Sequence, residues 1–251
     1  MRGARGRWLR GVGHLLLPPA CAGCGGALAT DEGRVCAGCG TRLRSLPYPR
    51  CARCSTPRGT GVPAGRECPD CGEWPSELVG AASAVVLAPP ADTLVHGLKY
   101  GGWPELAPVL ARRMERELPG LLERVGPDPL LVPVPTTRER ERHRGYNQAG
   151  LLAEALQRRT ALELARPLER RNGGGTQVSL HRSERARNVA EAFAPVEGAG
   201  AVVRGRSILL VDDVLTTGAT SAAAAGVLLG AGAARVGVLT FARALPGSAE
   251  P

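Results

Sequence analysis

The chain is poor in aromatic rings, nearly devoid of lysine, and without cysteine beyond residue 71. Aromatics make up 3% of its 251 residues, too few for the stacking platform on which single-strand binders hold bases. A core must therefore be built from Ala, Val and Leu. No apolar run approaches the length of a membrane span. The basic start, Met1–Arg10 followed by Leu15-Leu16-Leu17, mimics an export signal only superficially. Its apolar stretch is short and is cut off by Pro18-Pro19. A cytoplasmic location is the expectation.

Of the 32 lysines and arginines, one is a lysine, Lys99, and the formal net charge is +9. Such a surface attracts phosphate, on a nucleic acid or on a small substrate. Compositional drift toward arginine explains the excess equally well. The same drift singles out Lys99, because a compact ammonium and a planar guanidinium are not interchangeable.

The hydrophobic fraction of 43% excludes global disorder, and the length suits one medium domain with a small module attached. All eight cysteines lie in a Gly-, Pro- and Arg-rich stretch, after which the pattern changes. That shift predicts a module over residues 1–75 and an α/β domain over 76–245. Strands are expected at Ala81–Leu87, Leu130–Val134, Ser207–Val211 and Arg235–Phe241. Helices are expected at Ala91–Tyr100, Pro104–Leu118, Tyr146–Arg159 and Ala219–Leu229. Alternation of the two argues for a mostly parallel sheet flanked by helices.

The cysteines fall into four pairs: Cys21 with Cys24, Cys36 with Cys39, Cys51 with Cys54, and Cys68 with Cys71. A two-residue gap lets both thiolates of a pair face one ion, and two pairs complete a tetrahedral zinc site. Disulfides are disfavoured where no export signal is present. Sequential pairing would use Cys21, Cys24, Cys36 and Cys39 for one ion, and Cys51, Cys54, Cys68 and Cys71 for the other. A cross-braced arrangement would alternate the pairs; the short intervening loops favour the sequential form. Four-cysteine sites leave no position for water, so their role is structural.

The segment Ile208–Thr220 carries the chemistry. An apolar strand ends in Asp212 and Asp213, and the turn Thr216-Thr217-Gly218 opens a helix. Ligands of open α/β sheets bind at the carboxyl ends of strands. Backbone N–H groups from Thr216 to Thr220, Ala219 among them, would face a phosphate at the helix start. Two acids beside a phosphate cradle need donors of their own, which vicinal ribose hydroxyls supply. A plain helix cap by Thr216 or Thr217 explains one hydroxyl but not the whole set.

These thirteen residues resemble the phosphoribosyl-diphosphate signature of type I phosphoribosyltransferases. More of the chain resembles the ComF family of that superfamily, which includes GntX-type proteins. The likeness is carried by the Leu-Leu-Leu-Pro-Pro-Ala-Cys entry, the cysteine pairs, His96–Tyr100, Val132–Pro135 and Arg144–Gln148. It implies a Mg²⁺-dependent displacement of diphosphate from ribose C1. By analogy, Asp212 and Asp213 hold the ribose, and Thr216, Thr217, Gly218, Ala219 and Thr220 hold the 5-phosphate. Pro135, Thr136, Thr137 and Arg138 would form the diphosphate loop. Gly173–Val189, with Arg182 and Arg185, would form a mobile hood. Lys99, Arg138 and Arg144 are candidate counter-charges, and His143 and His181 weaker candidates for a general acid. The resemblance also brings natural competence and DNA uptake, with single-stranded DNA or the competence machinery as partners. In that version the site serves as a ligand sensor and the zinc module, with Arg42, Arg44, Arg50, Arg53, Arg58 and Arg66, contacts phosphates. The acceptor and the oligomeric state stay open.

Overall fold

The computed structural model describes residues 19–28, 34–59, 61, 68–171 and 192–245. The expected hood, with Arg182, Arg185 and His181, lies outside the described residues, as does Arg66.

The central sheet has four parallel strands: β1 (Leu78–Val86), β2 (Leu130–Pro133), β5 (Ser207–Leu215) and β6 (Arg235–Arg243), in the order β1-β6-β5-β2. A short antiparallel pair, β3 (Leu168–Arg170) and β4 (Phe193–Pro195), stands apart from it. The middle of β5 is apolar on both faces because both faces are covered. Leu209 and Val211 face a layer containing α2 (Ala91–Tyr100), α3 (Ala107–Met114), α4 (Leu118–Val125) and α6 (Gln148–Thr160). Ile208 and Leu210 face α7 (Ala199–Val203), α8 (Ala219–Gly230) and the β3–β4 pair. The register Pro133↔Val211 and Asp212↔Thr240 sets the carboxyl ends of β2, β5 and β6 side by side. A ligand site of an open parallel sheet belongs there.

The structure departs from the expected elements in three places. Strand β5 continues past Val211 to Leu215, held by pairing of Val214 with Ala242 and Leu215 with Arg243. Both acids therefore sit within the strand. The helix expected over Pro104–Leu118 is a broken series, with single 3₁₀ turns before and after α3. Pro119 does not end it; Pro119 sits in the first turn of α4, where its missing N–H costs nothing. The charged run after Pro135 is a helix, α5 (Arg138–Arg144). Thr137 caps it by accepting from Arg140 N, and Gly145 closes it at φ 83°.

The cysteine-bearing segment, which includes a short helix α1 (Ala37–Arg42), runs along the outer edge of β1. Val86 N donates to Arg44 O at 2.8 Å and Ala81 N to Arg53 O at 2.7 Å. Ser55 Oγ donates to Ala81 O at 2.7 Å. An edge strand with open backbone groups is thereby covered. Among the described residues, no helix is long and apolar enough to cross a membrane.

Candidate functional site

Successive side chains of a strand point to opposite faces, so the two acids of β5 look different ways. Asp213 is buried and turns toward α2, where Lys99 Nζ lies 3.3 Å from its Oδ1. Its Oδ2 is buried with no hydrogen-bond partner among the described residues. An orphaned acceptor is costly unless something donates to it. Asp212 turns toward β3, whose Arg170 lines the same cavity. Asp212 Oδ1 accepts from Asp213 N at 2.8 Å. Burial, and then the charge of Asp213, raise its pKa to about 7, while Lys99 and Arg170 work in the other direction.

The acids open on a cavity of about 230 Å³ at the end of the sheet. Lys99 and Tyr100 line one wall, Pro135 and Thr136 another, and Thr216 and Thr220 the far end. Three guanidiniums, of Arg140, Arg144 and Arg170, complete it. Two acids facing four cations leave a surplus of positive charge, which suits a polyanion that also carries hydroxyl donors.

The turn Thr216–Gly218 shapes the far end of the cavity. Gly218 has φ 83° and stands at the start of α8. Its backbone lies against the indole of Trp74, so a Cβ at this position would sit 2.5 Å from Cζ2 of the ring. Thr217 Oγ1 accepts from Ala219 N at 3.4 Å, as a capping hydroxyl does. Thr217, Gly218 and Ala219 thus form the turn, while Thr216 and Thr220 line the cavity.

The Arg144–Gln148 segment is a bracket between helices. Arg144 donates to Gln148 Oε1 at 2.9 Å and lies over the Tyr100 ring at 4.8 Å. Tyr146 donates to Leu98 O at 2.8 Å, tying the segment to the helix of Lys99. Asn147 caps α6 and also donates to Val134 O.

Of the residues singled out from sequence, Thr137 and Arg138 stand outside this cavity. Thr137 is a helix cap, and Arg138 is paired with Glu169 at 3.5 Å on an adjacent cavity of about 330 Å³. His143 is exposed. Arg53 does not contact solvent phosphate: its guanidinium donates to the carbonyls of Cys71, Trp74, Pro75 and Leu78. Two cavity cations went unread in the sequence. Arg140 lies four places before Arg144, hence on the same face of a helix; reading α5 as a helix would have exposed that. Nothing local marks Arg170, which the β3–β4 pairing brings in.

The eight cysteines gather sequentially. In each group, Cys21 with Cys24, Cys36 and Cys39, and Cys51 with Cys54, Cys68 and Cys71, the sulfurs lie within 4.8 Å of one another. Contacts of 3.9, 3.8 and 3.6 Å (Cys24–Cys36, Cys51–Cys71 and Cys54–Cys68) match the edge of about 3.8 Å in a tetrahedron with Zn–S bonds of about 2.3 Å. The electrostatics also ask for a cation. Burial opposes ionisation of Cys21, yet N–H groups of Cys36, Gly23 and Cys24 bring it down to about 6. Burial and the neighbouring thiols push Cys39 up to about 12. Four thiolates cannot share such a space unless a metal neutralises them.

Comparison with known proteins agrees with this layout. Residues 12–72 match a double zinc ribbon domain, and residues 144–251 a phosphoribosyl transferase domain. The chain is 34% identical over 185 residues to the DNA utilization protein YhgH of Escherichia coli (strain K12), covering 71% of this chain and 78% of that one. It is 39% identical over 115 residues to competence protein ComFC of Bacillus subtilis (strain 168), 45% of this chain and 44% of that one. It is 34% identical over 115 residues to competence protein F of Haemophilus influenzae, covering 45% and 50%. With its α/β sheet, paired acids and two cysteine clusters, the chain belongs to the ComF/YhgH family, whose double zinc ribbon is joined to a phosphoribosyltransferase domain.

Proposed function

We propose that the chain binds 5-phosphoribosyl 1-diphosphate at the carboxyl end of β5 and transfers its phosphoribosyl group to a nitrogen acceptor. In this reading residues 76–245 carry the reaction and residues 1–75 carry the zinc. The observation that supports it is the convergence of Asp212, Asp213, Lys99, Thr216, Thr220 and three arginines on one cavity. The two carboxylates accept from the ribose hydroxyls, and the orphaned Oδ2 of Asp213 gains a donor. The turn before α8 takes the 5-phosphate with its N–H groups and hydroxyls. Lys99, Arg140, Arg144 and Arg170 draw the diphosphate.

In the transfer, the bond from C1 to the diphosphate oxygen breaks and its electron pair leaves with the diphosphate. A C1–N bond forms and the acceptor nitrogen loses its proton. Cations placed where charge collects on the leaving oxygens stabilise that transition state. Hard carboxylate oxygens fit Mg²⁺, and Asp212 and Asp213 are the residues that would hold it or its waters. When bound, it neutralises diphosphate charge.

Calorimetry with 5-phosphoribosyl 1-diphosphate and Mg²⁺ tests the reading. Asp212→Asn with Asp213→Asn should weaken binding about a hundredfold or more, since two charge-assisted contacts are removed, with the fold intact by circular dichroism. Unchanged affinity would refute the assignment. Release of diphosphate in a screen of nucleobases would then identify the acceptor.

A second reading, contact with single-stranded nucleic acid, is favoured by a separate surface. Tyr48 is 75% exposed, with Arg50 over its ring at 4.3 Å. The two border a cavity of about 440 Å³ that Arg116 and Arg124 also line. Arg50 is paired with Glu117 at 3.3 Å and Arg124 donates to Ala52 O, so the ring offers one base a stack and Arg116 offers its phosphate a partner. The relatives' names, DNA utilization and competence proteins, point the same way. The full chain should bind single-stranded DNA with affinity falling steeply with salt, and Tyr48→Ala with Arg116→Ala should flatten that slope. Binding that ignores salt and both substitutions would exclude this surface.

A further inference from the structure

The second cysteine cluster and the phosphate turn are joined by two physical routes. The first runs through Trp74, which is 8% exposed and packs against Gly218. Cys68 and Cys71 belong to the tight turn that leads to it: Gly72 N donates to Cys68 O at 2.8 Å and Trp74 N to Cys71 O at 3.2 Å. Arg53, between Cys51 and Cys54, fastens the same stretch. It donates to Cys71 O and Trp74 O, both at 3.0 Å, and lies 5.8 Å from the centre of the indole ring.

The second route runs through Arg243. It is 1% exposed, and strand pairing sets it beside Leu215, the residue before Thr216. Arg243 Nη2 donates to Thr56 Oγ1 and, at 3.1 Å, to Asp70 Oδ2. Thr56 Oγ1 lies 3.1 Å from Cys54 Sγ and donates to Asp70 at 2.6 Å. The remaining Nε and Nη1 of Arg243 are buried without a partner among the described residues. Four thiolates around one zinc carry a net charge of about −2, and a buried guanidinium beside them is a counter-charge. Among the described residues, the first cluster has neither connection. Its turn packs on Pro90 at the start of α2, on the other side of the sheet.

We propose that Trp74 is a positioning residue through which the zinc-filled second cluster holds the Thr216–Thr220 turn in its phosphate-binding shape. The indole fills the space beneath Gly218, so the turn cannot relax toward the zinc ribbon while Cys68–Trp74 is pinned. Loss of the metal frees that stretch, and the turn loses its backing. The proposal rests on the phosphoribosyl reading for its ligand but not for its structural readout.

The test combines amide hydrogen exchange with calorimetry on the zinc-loaded full chain. In Trp74→Ala, exchange over residues 215–220 should speed up, and affinity for 5-phosphoribosyl 1-diphosphate with Mg²⁺ should fall about tenfold, with zinc content unchanged. Trp74→Phe, which restores a ring, should recover most of both. If Trp74→Ala does not fold, Trp74→Phe and stepwise chelation of the wild type supply the same exchange reading. Faster exchange over 215–220 as the second cluster, and not the first, loses its metal supports the proposal. Exchange that ignores Trp74 or the second cluster overturns it. If the wild type binds no ligand while the exchange changes are present, the phosphoribosyl reading fails and the coupling stands.

Discussion

Cys51, Cys54, Cys68 and Cys71 are all buried, whereas Cys24 of the first cluster is exposed and Cys36 only half-buried. The spacing within each pair is the same, so the contrast lies in what each cluster leans on. The second leans on the Thr216–Thr220 turn and on the end of β6, through Trp74 and Arg243. The first leans on the side of α2: Gly23 approaches Pro90, and Arg34 bridges to Glu105 at 2.6 Å between half-exposed side chains. Identical sequence devices therefore serve different ends. One backs the Thr216–Thr220 turn, and the other braces the helix that presents Lys99 to Asp213.

Removal of each cluster in turn puts the largest strain on this contrast. Cys54→Ser with Cys71→Ser should lower the melting temperature by about 10 °C or more, because a structural zinc and a buried counter-charged pair are lost together. Arg243 would keep Asp70 at 3.1 Å but lose the thiolate charge beside it, so part of the cost of its burial would go uncompensated. Cys24→Ser with Cys36→Ser should cost about half as much, its cysteines being nearer to water. Differential scanning calorimetry with zinc quantified for each variant decides the order. Equal losses would mean that both clusters share one cooperative core with the sheet.

The same contrast shows what the sequence could and could not tell. The cysteine spacing named the ligands and favoured sequential pairing, because short loops close each site locally. The boundaries of α2 are readable from Leu94, Val95 and Leu98 on one face and from Gly101 after the end. The placement of Asp212, Asp213 and the Thr-Gly turn between a strand and a helix is equally local. Three things are not. Arg53 reads as one more surface arginine until four carbonyls of a later stretch close around it. Arg170 reaches the cavity only because β3 pairs with β4. Trp74 lies 144 positions from Gly218 in the chain, and no periodicity connects them. Contacts between elements distant in sequence are where local pattern is silent.

A smaller effect probes the first cluster's side of the comparison. Asp212 is held up at about 7 by burial and by Asp213, and the charge of Lys99 acts against that rise. An ionised acceptor is needed for a ribose hydroxyl donor, so affinity for 5-phosphoribosyl 1-diphosphate should weaken as pH falls through about 7, approaching tenfold per unit below it. In Lys99→Met the opposing cation is gone and the carboxyl titrates higher still. The acid limb of the affinity profile should therefore move to higher pH, and the melting temperature should fall, because Asp213 is left buried without its cation. A uniform loss of affinity at every pH, with the midpoint where it was, would make Lys99 a contact for the diphosphate alone. The brace from the first cluster through α2 would then serve the leaving group and not the acids.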